Sequence, residues 1–314
     1  MFSFFKKKKG SQISVPDWAT FMTPKEYSIF IKATEEYFNK LNIGYSIENE
    51  GVVLVSENDF GFGQLGLHNI AQICKQNDIK DYKAIVKDHF DAMVRIHKFN
   101  KEFEETVSNF EKIEKYIAVR LYNMEYGANL EGDNIIVRDF AEGIIAMLVF
   151  DLPESVVNIK PEQVTPWNKT IDELFELGNE NIRKNYPIDL SEHKVGEHMI
   201  WFAEADHFFA SNFAFDIKNY PQVVGSQGSL VSIPNRHTVI IYPIRNLDVI
   251  GVLNNMLYLT SRMHEDGPGS ITDRLYWYND GKFTNLPHKM ENEKLVFSPP
   301  GEFVDVLNEL GKEN

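Results

Sequence analysis

Apolar positions near the start of the chain recur at helical spacing. Tyr27, Phe30, Ile31, Thr34, Phe38 and Leu41 fall on one face. Ahead of them, Thr23-Pro24-Lys25-Glu26 supplies a capping hydroxyl, a proline at the first helical position and a glutamate that can reach back. Gly44 ends the run, and two short strands are predicted near Tyr45–Glu48 and Val52–Val55. Helices follow from about Asn69 to Lys75 and from about Asp81 to His97, with Ile85, Phe90, Met93, Val94 and His97 near one face. A polar, acidic stretch from Asn100 to Glu114 reads as a further helix connecting two lobes.

From Tyr116 the spacing changes from helical to extended. Ile117, Val119 and Leu121 alternate with Ala118, Arg120 and Tyr122. Leu130-Glu-Gly-Asp133 and Ala141-Glu-Gly143 are turns that set off Ile135–Arg138 and Ile144–Phe150, which predicts an antiparallel three-stranded meander. Thr170-Ile-Asp-Glu173 repeats the capping signal and opens a helix that stops before Pro187. Met199–Ala203, Leu230–Ile233 and Thr238–Tyr242 read as strands, and Leu247–Met263 as a long apolar helix. Leu275–Tyr278 and Phe283–Leu286 flank Asn279-Asp-Gly281, a two-residue hairpin signal. Strands do not alternate regularly with helices, which argues against a parallel doubly wound sheet. The expected class is α+β, with a mostly helical N-terminal lobe packed on a C-terminal lobe with a predominantly antiparallel sheet. The expected divisions are a disordered basic tail over 1–13, a helical lobe with a small hairpin over 14–115, and an α+β domain over 116–314.

Composition narrows the function classes. The chain has 314 residues, 43% hydrophobic and 25% charged, which is ordinary for a globular protein. Its net charge of −14 repels phosphate backbones, so nucleic acid is not an expected partner. Lys6–Lys9 follow Met1-Phe2-Ser3-Phe4-Phe5, a tail suited at most to peripheral membrane contact. It is not expected to act as a signal peptide, because the apolar stretch is short and precedes the basic one. The longest apolar run, Gly143–Phe150, has strand length. Cys74 stands alone and cannot form an internal disulfide, which points to a reducing, cytoplasmic setting.

Candidate chemistry is sparse. Gly61-Phe62-Gly63-Gln64-Leu65-Gly66 spells a dinucleotide fingerprint, with Asp81 about 20 residues on. Five residues separate it from the preceding strand, and no second parallel strand precedes Asp81, so a glycine-rich turn or bulged strand feeding the next helix is expected. Glu197-His198 and Glu204-Ala205-Asp206-His207 bring two histidines and three carboxylates within eleven residues. That set suits metal binding or acid–base work, although strand alternation puts His198 on the face of Ile200 and Phe202. The competing reading is a strand entering a polar turn in which Asp206 caps the next segment. His264-Glu-Asp-Gly-Pro-Gly-Ser270 reads as a helix end and a loop able to hold a ligand. Cys74 reads as a small buried thiol. No cofactor and no metal are expected.

From the meander onward the chain resembles the YtpQ-like family of uncharacterised bacterial proteins. The likeness is carried by Ala118-Val-Arg120, Phe150-Asp-Leu-Pro153, Asn179-Glu-Asn-Ile182 and Ser229-Leu-Val-Ser-Ile-Pro-Asn-Arg236. Leu67-His-Asn-Ile70, entering a helix, is also similar. The resemblance implies no established activity, cofactor or catalytic residue. Within it, Arg236 is the first candidate for a shared site, because it follows Pro234 at a turn between strands and a guanidinium can grip a carboxylate or phosphate. Arg120 is the second. The competing reading for both is a structural ion pair. The expected function is a non-catalytic cytosolic binding or interaction protein. The alternative is a small-molecule hydrolase using Glu197, His198, Glu204, Asp206 or His207.

Overall fold

A computed structural model describes residues 14–56, 61, 63–129, 135–266, 269–291 and 294–312. The Lys6–Lys9 tail, Phe62, the turn at Leu130–Asp133 and the Gly267-Pro268 step lie outside the described residues. The chain forms two compact units, one ending at Thr106 and the other beginning at Val107. No described helix is long and apolar enough to cross a membrane.

In the first unit α1 (Pro24–Leu41) starts as its sequence dictates. Thr23 Oγ1 accepts from the Glu26 N–H at 3.3 Å, and Glu26 Oε2 accepts from the Thr23 N–H at 2.7 Å. Three short strands follow, β1 (Tyr45–Ile47), β2 (Val52–Val55) and β3 (Gln64–Gly66), all antiparallel with β2 central. Then come α2 (His68–Lys75) and α3 (Tyr82–Glu104). The end of the glycine hexapeptide is therefore an edge strand running against β2. It reaches α2 through Leu67, whose N–H bonds Gly51. Among the described residues no parallel strand aims its crest at a helix N-terminus there, as a dinucleotide site requires.

The acidic bridging helix expected over 100–114 is a correction. α3 runs unbroken for 23 residues through that start, because nothing between His97 and Asn100 interrupts the helical hydrogen bonds and Phe99 stacks on Phe103 one turn later. Only a short α4 (Phe110–Ile113) follows. Phe30, Phe38, Val53, Leu65, Ile70, Tyr82, Val86 and Phe90 are fully or almost fully buried and form this unit's core, with Cys74 among them. Burial pushes the Cys74 thiol up to about 11, so it is a packing group rather than a nucleophile.

The second unit opens with β4 (Ile117–Asn123), α5 (Met124–Asn129), β5 (Val137–Ala141), β6 (Ile144–Leu152) and β7 (Ser155–Asn158). These strands do not form the expected meander. β6 lies between β4 and β5, and its far end pairs with β7. The nine-residue β6 is apolar and buried almost throughout, which suits a central strand, whereas β5 is half exposed and suits an edge. After α6 (Pro161–Val164) and α7 (Ile171–Asn185) comes a larger sheet. Its strands are β8 (Asp189–Val195), β9 (His198–Glu204), β10 (Ser229–Asn235), β11 (Thr238–Pro243), β12 (Leu275–Asn279) and β13 (Lys282–Asn285). They lie side by side as β13-β12-β10-β11-β9-β8, every pair antiparallel. Two helices, α8 (Asp248–Asp266) and α9 (Gly301–Lys312), meet one face. Val249, Val252, Met256, Phe303 and Val306 join Ile200, Leu230, Ile240 and Trp277 in one apolar cluster. Between β13 and α9 lies a small hairpin, β14 (His288–Glu291) and β15 (Lys294–Phe297). Helices dominate the first unit and antiparallel sheets the second, so the class is α+β.

Two contacts fix β4. Its outer edge presents the Ile117 and Val119 carbonyls, which accept from Asn181 Nδ2 at 2.8 Å and Asn212 Nδ2 at 2.7 Å. Alongside, Gly178 of α7 lets the helix lie directly on the strand. A Cβ there would sit 2.9 Å from the Ala118 carbonyl carbon and 2.9 Å from Val119 Cγ2. In an open helix Gly→Ala stabilises by about 1 kcal/mol. Here the sign reverses, because the nearest atoms are strand backbone. We expect Gly178→Ala to destabilise by about 1–3 kcal/mol, the usual cost of overpacking. Urea denaturation checks this, and a stabilised variant would contradict the packing.

Candidate functional site

The register of β4 on β6 puts Ala118, Arg120 and Tyr122 opposite Val149, Met147 and Ile145, so these side chains share one face. Asp151 continues that face, and pairing with β7 adds Val156 and Asn158. Arg120 is thus a cation on an otherwise mostly apolar surface, only 8% exposed. Its Nε has no hydrogen-bond partner. Its guanidinium lies 5.0 Å from the Tyr122 ring centroid and 5.6 Å from that of Phe208.

Arg236 reaches the same place from the larger sheet. Pro234 has no N–H to give the ladder, and the register of β10 on β11 shifts between Ser232 and Asn235. The chain then turns. Asn235 Oδ1 accepts from the His237 N–H at 2.9 Å, the Arg236 N–H donates to Gly269, and the Arg236 carbonyl accepts from Ser211. Arg236 Nε donates to His237 Nε2 at 3.3 Å, which assigns the proton to Nδ1, 3.2 Å from the Ala205 carbonyl. Gly269 has a φ of +71°, and a Cβ on it would lie 2.5 Å from Arg236 Cδ, so only glycine leaves the arginine its bed. The Arg236 guanidinium sits 4.2 Å from the Phe208 ring centroid. Phe208 therefore meets both arginines. Burial, and then the nearby Arg120, pull the Arg236 pKa below its ordinary value.

Between them is a cavity of about 530 Å³. Its lining includes both arginines, Tyr122, Tyr126, Val156 and Asn158. Gly269, Ser270 and Ile271 also line it, so the end of the His264–Ser270 loop contributes. No carboxylate or histidine lines it among the described residues. Neither arginine forms an ion pair among those residues, so the structural ion pair weighed for both is not found there. Of five buried polar side-chain atoms without a partner among the described residues, three belong to this neighbourhood: Arg120 Nε, Ser211 Oγ and Asn212 Oδ1. Such orphans are rare in folded proteins, and Ser211 and Asn212 lie beside the cavity rather than in its lining. The nearest carboxyl on the Arg120 face, Asp151, is occupied by the Tyr186 hydroxyl, which donates to Oδ2 at 2.5 Å. Burial raises the Asp151 pKa, against the lowering pull of that hydrogen bond and of Arg120.

The acidic and histidine residues do not assemble. His198 and Glu204 stand at opposite ends of β9, about 20 Å apart at the usual rise per residue. The His198 ring lies against Gly251 of α8 and the edge of Tyr242. Glu197 is exposed, 3.7 Å from Lys194. Asp206 is exposed and does not cap the Ala210–Phe215 turn, which has no side-chain cap. His207 alone touches the arginine neighbourhood. Its Nε2 donates to the Pro187 carbonyl at 2.9 Å, its Nδ1 accepts from the Phe209 N–H, and its ring meets the edge of Tyr186. Among the described residues no three His, Cys, Asp or Glu side chains come together as a metal site.

The pairing of Arg120 with Tyr122 is legible in β-strand spacing, and Gly269 lies in the loop read as able to hold a ligand, whereas Phe208 gave no sequence signal of a shared site. Compared with known proteins, the chain matches no family model, no curated protein and no solved structure.

Proposed function

We propose that the chain is a non-catalytic binding protein whose second unit holds a small anionic ligand between Arg120 and Arg236. One observation carries this reading: two guanidiniums, one nine-tenths buried with an unpartnered Nε, line one cavity without an ion-pair partner among the described residues. Burying a cation costs several kcal/mol, offset here only in part by the pull of Asp151 on the same face, and an anion in the cavity adds a direct partner for the guanidiniums. The absence of a carboxylate or histidine from the described lining supports binding rather than acid–base turnover. The YtpQ-like resemblance implies no activity, so the support is the pocket alone.

Thermal melts of the full chain against a panel of phosphate, sulfate, benzoate and aryl phosphates test the reading. A ligand at 100 times its Kd should add about 2.7 kcal/mol. Arg236→Met should remove that gain. A flat response to every anion would overturn the proposal.

A further inference from the structure

Resting on that reading, we infer that the ligand is an organic phosphomonoester with a flat, apolar body. Charge is the first ground. Two cations face one cavity and no described carboxylate lines it. A phosphomonoester carries close to two negative charges at neutral pH and three acceptor oxygens, so it matches both guanidiniums, where a monocarboxylate leaves one unmatched. Donors are available for it. Arg236 commits only Nε to His237, and Arg120 lines the cavity without a carboxylate beside it in the described lining.

Size is the second ground. At about 30 Å³ per water-sized group the cavity has room for roughly eighteen heavy atoms, well beyond a bare phosphate ion. The walls are the third. Tyr122 and Tyr126 stack with centroids 4.8 Å apart and planes within 9°, and Tyr126 remains 45% exposed at the cavity. Val156, Val157 and Ile271 add aliphatic surface. Such walls bury a planar apolar group, and an aromatic ring on a tyrosine face gains about 0.5–1.5 kcal/mol beyond the area it buries. A phosphate polymer is disfavoured by the net charge of −14, which repels a long polyanion while leaving one small dianion to the local arginines.

Calorimetric titration of the full chain with phenyl phosphate, inorganic phosphate and benzoate tests the inference. Phenyl phosphate is expected to bind at least tenfold more tightly than either of the others. Arg120→Met should weaken it tenfold or more, and Tyr126→Ala should narrow its advantage over inorganic phosphate. Arg236→Met, on a half-buried side chain, gives the same arginine test if Arg120→Met does not fold. Benzoate or inorganic phosphate binding as tightly as phenyl phosphate overturns the ligand class and leaves the anion pocket standing. Failure of all three to bind overturns both.

Discussion

Arg120→Met is expected to make the free protein more stable and unable to hold an anion. The arginine sits on β4 with a mostly apolar face around it, 8% exposed, its Nε without a partner. Replacing a buried ion pair by apolar groups of similar volume is often neutral or stabilising by 1–4 kcal/mol, and removing Arg120, which has no carboxylate in the described lining beside it, strands no close counter-charge there. Methionine keeps most of the length and can lie along Tyr122, Met147 and Phe208. We expect a gain of about 1–3 kcal/mol, near the middle of that range. For a unit of this size that is a rise in Tm of a few degrees, roughly 2–4 °C per kcal/mol. Calorimetry in the absence of ligand measures the gain, and titration with phenyl phosphate measures the loss. A variant destabilised by 3–5 kcal/mol would show that the guanidinium belongs to a compensated network, and the reading of the pocket would fall with it. Residues that cost stability and are kept for function are the expected pattern at a binding site.

The largest loss of stability is expected from Phe38→Ala in the first unit. Phe38 is fully buried, with its ring 5.0 Å from Phe90, 5.3 Å from Tyr45 and 5.5 Å from Tyr37. It joins α1, β1 and α3 in one aromatic contact. Removing it forfeits the transfer free energy of the ring and leaves a space that three rings and a helix backbone cannot close, typically 3–5 kcal/mol. Urea or thermal unfolding followed by tyrosine fluorescence would show the shift. A cost under about 1 kcal/mol would mean the site collapses freely, against the rigid ring geometry described.

Local chemistry was legible in the sequence wherever one segment decided the outcome. Thr23 and Thr170 both cap their helices with reciprocal glutamates. Asp280 and Gly281 take φ of 46° and 79° and close the hairpin, with Asn279 opposite Lys282. Legibility failed where distant segments competed. The place of β6 between β4 and β5 follows from which strand can be buried on both faces, and turn signals do not report that. β8 escaped notice because Glu192, His193 and Lys194 mask its alternation at an exposed sheet edge. Arg120 and Arg236 stood out singly, Arg236 at a turn after Pro234 and Arg120 on a predicted strand. Their meeting over Phe208 depends on how the two sheets of the second unit are joined, and no local spacing encodes it. The histidine and acidic residues of β9 lay close in sequence and far apart in space, since an extended strand separates its ends by its whole length.

The two asparagine amides on the outer side of β4 have a consequence for solution behaviour. A strand so rich in isoleucine, valine and leucine, left open along one side, is a template on which another polypeptide can add itself, the first step of fibrous aggregation. With Asn181 and Asn212 holding two of its outward carbonyls, an incoming segment has to evict both amides before it can pair along Ile117–Val119. The same two side chains that anchor β4 beside its neighbours thereby obstruct strand addition at that end of its edge.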